Sequence, residues 1–301
     1  MIFEGDKNVV DAIKEKKRLI DLGQSNEHVR PLLIQGGGLM CGAYGVGTSL
    51  FLEEMGYTSV FSYLVGISSG APIAAHFAAG TSRYGADVLR EDCTDARFIN
   101  YWRFWHQVNV TYLMDVARNH AERKIDVGQA LKNKTKLFFG VADYKTASPL
   151  LLRPHDEKSF FEGLHASINL QNISPHTVEV DGVRYVDGGF ASPHVITKAI
   201  EELSPTHVLI VTNNNKGTTK LPLFERICNQ TIFRHRLSGA LAKAINRRID
   251  ARDEALEKAL SGSIPTAVVW GDGTIGRLEK NPNIITSTIE TSKVWWQELF
   301  Q

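Results

Sequence analysis

The chain has 301 residues, with 34 Lys and Arg against 33 Asp and Glu, a formal charge of +1, and 43% hydrophobic against 22% charged residues. This is the make-up of a folded globular protein: the balanced charge leaves no electrostatic footprint for nucleic acid, and the apolar fraction excludes general disorder. A chain of this length is within reach of one large α/β domain, so a single domain over residues 1–301 is expected, with 1–28 as an N-terminal helical extension.

The opening MIFEGDKNVVDAIKEKKRLIDLG mixes acids and bases and lacks an apolar core, which suits an amphipathic surface helix and not a cleaved export signal. Cys41, Cys93 and Cys228 are odd in number, far apart and without C-x-x-C spacing. Reduced thiols in a cytoplasmic protein, and no metal site, are the expectation. Two stretches, Leu32–Leu52 and Val60–Ser82, carry no Asp, Glu, Lys or Arg and are long enough to cross a bilayer. Their glycines, six between Gly36 and Gly47 in the first and Gly66 and Gly70 around Pro72 in the second, each disfavour a helix by about 1 kcal/mol relative to alanine. Buried strands feeding helices through glycine turns fit better.

Pro31–Gln35 is a short apolar run ending in glycines, followed by helical spacing from Tyr44 to Met55 that Gly56 stops. Val60–Val65, Gly66 and the small-residue segment Ala71–Ala79 repeat the strand, turn and helix. Further continuous apolar runs at Leu137–Ala142, His207–Thr212 and Ala267–Trp270 read as strands covered on both faces, with a helix at His194–Leu203 between two of them. Val178–Asp181 and Arg184–Val186 flank Gly182-Val183 as a hairpin. Leu223–Leu260 reads as mostly helical, and its charges, Arg247, Arg248, Asp250, Arg252, Asp253, Glu254, Glu257 and Lys258, as a solvated face. Helices alternating with buried strands predict a three-layer α/β/α sandwich with a mainly parallel central sheet.

Gly66-Ile67-Ser68-Ser69-Gly70 fits G-x-S-x-G directly after a strand and before a helix, where a sharp turn would present Ser68 as a nucleophile. The glycines relieve clashes at that turn, and the helix that follows aims its positive end at developing negative charge. Gly36-Gly37-Gly38 offers successive N–H groups that suit an oxyanion or a phosphate. No G-x-x-x-x-G-K-[ST] is present, and Cys41 stands where G-x-G-x-x-G needs its third glycine; an oxyanion hole therefore outranks a nucleotide site. Of the histidines, only His76 and His194 fall near a glycine motif. Asp187, in Asp187-Gly188-Gly189 after a strand, is the alternative base, although such a sequence is also a common turn.

In this order the glycine loop, the elbow and the D-G-G resemble the patatin-like phospholipase family. Gly42-Ala43-Tyr44-Gly45, Ala166-Ser167, Pro175, and Val180, Gly182 and Tyr185-Val186 before Asp187 are also similar, as is Arg277-Leu278-Glu279 with Asn281-Pro282. The resemblance spans roughly residues 30–290. It implies a lipid acyl hydrolase of phospholipase A, lysophospholipase or carboxylesterase type. Ser68 would be the nucleophile and Asp187 the base of a dyad, with Gly36, Gly37 and Gly38 as oxyanion hole and Gly66, Gly70, Gly188 and Gly189 in support. It implies no metal or organic cofactor, a lipid or acyl-ester substrate, and a cytoplasmic chain in transient contact with a membrane surface. A free aspartic acid titrates near about 3.9, so the dyad requires burial to raise that value or proton transfer concerted with attack.

The family's loop is usually G-G-G-x-[RK]-G. Here Gly38-Leu39-Met40-Cys41-Gly42 is one residue longer and has no basic residue. A non-catalytic lipid- or partner-binding relative is thus one alternative, and a histidine-using α/β-hydrolase with His194 or His207 is another. The aromatic segment Phe98–Met114, with Tyr101, Trp102, Phe104, Trp105 and Tyr112, reads either as a lipid-facing lid or as a buried helix. Trp295-Trp296 reads as packing.

Overall fold

Every residue of Pro31–Gln35 is buried, a condition a strand meets when it is sandwiched between two layers. The computed structural model describes residues 1–24, 27–100, 102–103, 107–170, 178–217 and 238–301. Its strands are β1 (Ile2–Gly5), β2 (Pro31–Gln35), β3 (Tyr63–Ile67), β4 (Lys136–Asp143), β5 (Pro149–Leu152), β6 (Val178–Val180), β7 (Val183–Asp187), β8 (His207–Asn215) and β9 (Thr266–Gly271). They hydrogen-bond in the order β1-β9-β8-β2-β3-β4-β7-β6, with β5 also paired to β4. The five consecutive strands β9-β8-β2-β3-β4 are parallel. Antiparallel pairs flank them: β1 on β9, β5 and β7 on β4, and β6 on β7.

Alternate side chains of these strands enter two cores. Leu33, Leu64, Phe139, Leu209, Val211 and Val269 join one cluster, and Leu32, Ile34, Val65, Phe138, Ile210 and Val268 the other. The first is covered by α1 (Asn8–Asp21), α2 (Ala43–Glu54), α3 (Gly70–Ala79), the short α4 (Ser82–Asp87), α5 (Val110–Asn119), α6 (Val127–Lys132), α7 (Glu157–Ile168) and the C-terminal helix Pro282–Leu299. The second lies beneath α9 (Val195–Leu203) and the helix Arg248–Leu260; the four-residue α8 (Gly188–Ala191) precedes α9. The three-layer α/β/α sandwich expected from the alternation of elements is therefore present. Pro282–Leu299 is anchored by Trp296, which is fully buried and donates its indole N–H to Thr48 Oγ1 at 2.7 Å. Truncating such a residue to alanine costs about 3–5 kcal/mol.

The first residues depart from the expected helical extension. Ile2–Gly5 is a strand paired with Ala267–Trp270, and Trp270 Nε1 donates to Glu4 Oε2 at 2.9 Å before α1 begins. Four residues are too few for periodicity to distinguish strand from helix. The hairpin turns at Asp181-Gly182, both at positive φ, so the second strand takes in Val183. The charged face expected over 223–260 also needs correction, because Arg248 is only 6% exposed and its guanidinium stacks on Phe190 at 4.6 Å. Other charges of that stretch pair at the surface, Arg247 with Glu254 and Lys258 with Glu201. Residues before 238 in that stretch, together with Cys228, Pro175, Tyr101, Phe104 and Trp105, lie outside the described residues.

Candidate active site

Parallel strands leave their carboxyl ends on one edge of the sheet, where loops converge. Gly36–Gly38 follows β2 there, Ser68 follows β3, and Asn213 and Asn214 end β8. Ser68 stands at φ +57°, in the left-handed region that a serine occupies only when its surroundings enforce it. Enforcement is steric. A Cβ at Gly66 would lie 2.6 Å from Ala71 Cα, and one at Gly70 would lie 2.0 Å from the Gln35 carbonyl oxygen. Only hydrogen fits on either side of the elbow.

Strand β4 brings the acid to this point. Ile67 lies opposite Gly140 and Asp187 opposite Val141. Since β5 occupies the other edge of β4 over Phe139–Ala142, β3 and β7 share one edge and meet end to end. Gly188 is needed at the junction, because a Cβ there would be 2.8 Å from the Gly140 carbonyl oxygen. Gly189 beside it passes Ile67, and its own Cβ would sit 3.4 Å from Asp187 Oδ1 and 3.6 Å from Ser68 Cβ. The end of α7 fastens the join: Ser167 Oγ donates to the Gly140 carbonyl at 2.8 Å and accepts the Ser68 N–H at 3.3 Å. Two residues on, the Asn169 carbonyl accepts the Asp187 N–H at 3.0 Å.

Asp187 caps α8, its Oδ1 accepting the Phe190 N–H at 3.0 Å. Its Oδ2 is buried and has no donor in hydrogen-bonding geometry among the described residues. Burial pushes the carboxyl up to about 6, against the pull of the neighbouring Ser68 hydroxyl, the Phe190 and Gly189 N–H groups and the Arg248 charge. A carboxylate that titrates there accepts a proton from an alcohol more readily than a free one does.

The glycine loop crosses directly over the serine. A Cβ at Gly37 would be 2.5 Å from Ser68 Cβ and 2.9 Å from its Oγ. The Gly36 N–H is consumed by the Val211 carbonyl at 2.8 Å, which continues the β2–β8 ladder. Among the described residues, no acceptor is recorded for the Gly37 and Gly38 N–H groups. Of the three glycines, the last two therefore present N–H groups that no acceptor among the described residues takes up.

From Ser68 an apolar cavity of about 720 Å³, counting its open mouth, runs past Met40, Ile73, Val88, Phe98 and Leu113. His76 lines it, two turns along α3; its Nδ1 is 3.0 Å from Thr81 Oγ1, and burial pushes the ring down to about 4, leaving it neutral. The other histidines weighed as bases are elsewhere. His194 is half exposed beside Glu254, at 3.9 Å. His207 begins β8 level with Pro31, six residue steps down the sheet from Ser68, or roughly 20 Å. Among the described residues, no histidine is hydrogen-bonded to Ser68 or Asp187.

The sequence model of the Patatin-like phospholipase family matches residues 32–200, more than half of the chain and the whole stretch from glycine loop to acid. The chain belongs to that family. The patatin-like phospholipases are lipid acyl hydrolases, which accords with a serine in the wall of an apolar cavity. Among solved structures, VipD from Legionella pneumophila is similar, with a TM-score of 0.47 and 13% identity over 92% of this chain and 67% of VipD. Full-length ExoU of the Pseudomonas aeruginosa type III secretion system, solved with SpcU, gives a TM-score of 0.31 and 15% identity over 90% of this chain and 59% of that one. No curated protein matches the chain.

In this patatin-like chain several site residues carried no motif of their own. Ser167 has no signal in the sequence beyond its place in the Ala166-Ser167 pair. Asn213-Asn214-Asn215 was legible in principle, as three amides closing a buried strand at the edge where ligands bind. Arg248 had no signal beyond a charge among charges. The aromatic segment divides: Phe98 is buried and lines the cavity, whereas Trp102 is 85% exposed. No described helix is long and apolar enough to cross a membrane.

Proposed function

We propose that this protein hydrolyses lipid acyl esters through Ser68 and Asp187. The reading is supported above all by the end-to-end meeting of β3 and β7, which brings Ser68, in the wall of an apolar cavity, beside a buried carboxylate. Ser68 Oγ attacks the ester carbonyl as its proton passes to Asp187. The oxyanion is received by the Gly37 and Gly38 N–H groups, and the amino end of α3 adds a favourable field. The acyl chain occupies the cavity. Collapse of the tetrahedral intermediate expels the alcohol, which takes the proton from Asp187 and leaves an acyl-enzyme. Water then attacks the acyl carbon while Asp187 accepts its proton; release of the fatty acid restores the serine.

The cavity's apolar lining favours a hydrocarbon acyl group over a short polar one. Exposed Trp102, four residues beyond cavity-lining Phe98, supports transient contact with a lipid surface, where tryptophan is a favoured anchor. The test is incubation of the pure protein, alongside Ser68→Ala, with vesicles of mixed phospho-, glycero- and galactolipids and mass spectrometry of the products. Free fatty acid and the matching lysolipid or alcohol are expected from the native protein alone. Equal release by Ser68→Ala, or release by neither protein, contradicts the proposal.

A further inference from the structure

The glycine loop carries no basic residue, and the side chains in its place are buried: Met40 is 1% exposed, and Cys41 is 7% exposed with its Sγ directed at the Ile275 carbonyl. A cation nevertheless reaches the loop from far along the chain. The Arg277 carbonyl accepts the Met40 N–H at 3.2 Å, and Arg277 Nη2 donates to Asn214 Oδ1 at 3.1 Å. Burial pushes the Cys41 thiol up to about 11, and the nearby Arg277 charge offsets part of that rise.

Asn214 faces the loop with its other end. Nδ2 donates to the Gly37 carbonyl at 3.1 Å and to the Thr212 carbonyl at 2.7 Å. A guanidinium on Oδ1 and two carbonyls on Nδ2 fix which end of the amide is which. Asn213 makes the companion contact, its Nδ2 donating to the Gly36 carbonyl at 2.7 Å. The backbone is bent to allow both: Asn213 sits at φ +56°, and the β8–β9 register shifts between Val211 and Asn215. Bulges of this kind re-aim side chains at functional edges.

In a trans peptide the carbonyl and the next N–H point in opposite directions. Holding the Gly36 oxygen from one side therefore aims the Gly37 N–H to the other, and holding the Gly37 oxygen aims the Gly38 N–H. These are the two donors without a recorded acceptor above Ser68. We propose that Arg277, acting through Asn214, is a positioning residue for the oxyanion hole and supplies in space the cation that the loop lacks in sequence. The guanidinium fixes the Asn214 amide, and its charge strengthens the bonds that amide donates. The inference rests on the Ser68–Asp187 reading and adds a determinant of its rate.

Steady-state hydrolysis of p-nitrophenyl butyrate, which bears no phosphate, tests it on the full chain with Arg277→Ala, Arg277→Lys, Asn214→Ala and the double alanine variant. Removal of an oxyanion donor lowers kcat about 10²–10³-fold, so misaiming one should lower it roughly tenfold or more, with KM unchanged. Arg277→Lys should recover most of the loss, and the double variant should be no worse than Asn214→Ala, because both changes break one relay. Arg277 is exposed, so its variants should keep the native melting temperature and suffice if Asn214→Ala does not fold. Native kcat in Arg277→Ala, a loss wholly in KM, no recovery by lysine, or losses that multiply in the double variant would each overturn the relay. A defect confined to phospholipid substrates would make Arg277 a headgroup contact instead and would also overturn it. Ser68→Ala separates the two claims. If that variant still turns over ester, the nucleophile reading fails; if it is inactive while Arg277→Ala is fully active, only the relay fails.

Discussion

Ser68 and Asp187 are 119 positions apart in the chain, yet they are set side by side by a single strand: one follows the residue opposite Gly140, and the other is opposite Val141. A parallel strand and an antiparallel strand share the same edge of β4, and the two groups proposed to react sit where they abut. Residues that hold this junction should therefore matter as much to activity as those that perform the chemistry.

Asp187 should show a trade between stability and activity. Its carboxyl is raised to about 6 in the fold from an unfolded value of 3.8. The native state therefore binds the proton more tightly, so the stability associated with the neutral acid is full below pH 4 and is lost as pH rises through 6. The difference of about two units corresponds to roughly 3 kcal/mol. Asp187→Asn should thus be inactive but more stable than native at pH 8, with the gain vanishing near pH 4, as denaturant melts at the two pH values will show. For native protein, kcat/KM on a neutral ester should climb with pH and level off above 6.

Gly37→Ala should cost at least about a hundredfold in kcat without unfolding the protein. The added methyl would fall 2.5 Å from Ser68 Cβ, so either the loop or the nucleophile must shift. Gly276→Ala, where nothing lies within 4 Å of the new methyl, is the control. Ester turnover and near-ultraviolet circular dichroism of both variants decide the matter.

Ser167→Ala removes the hydroxyl that bridges the Gly140 carbonyl and the Ser68 N–H. Orphaned buried polar groups cost about 1–3 kcal/mol. Thermal melts should register a loss of that order, and kcat should fall more than KM rises, since Ser167 does not line the cavity. An unchanged kcat would remove the junction from the catalytic account.

Val88 lines both the cavity and a smaller pocket beside it that takes in Ala117 and Leu164. Val88→Phe should shorten the space for an acyl chain. Turnover of a p-nitrophenyl palmitate analogue should drop about tenfold or more relative to the butyrate, as expected when several methylenes lose their pocket. Parallel losses on both esters would place the acyl chain elsewhere.

The sequence made the parallel core legible because each of its strands is a continuous apolar run closed by glycine, asparagine or a charged turn. Pro31–Gln35 coincides with β2 residue for residue, and the elbow glycines occupy positions where a side chain would collide. What was not legible depends on contacts between distant segments. Four-residue β1 has no periodicity to read, and the buried Arg248 looks in sequence like its solvated neighbours. The Arg277–Asn214 link joins residues 63 positions apart. The loop's missing basic residue was visible as an absence; only the fold shows a cation arriving from another element.

Whether Ser68 is an activated nucleophile is decided by intact-mass spectrometry after treatment with a fluorophosphonate. One phosphonyl adduct is expected on native protein, mapped to Ser68 by peptide sequencing, with slow labelling of Asp187→Ala and none of Ser68→Ala. An adduct that persists on Ser68→Ala, or native protein that hydrolyses esters while remaining unlabelled, would contradict it.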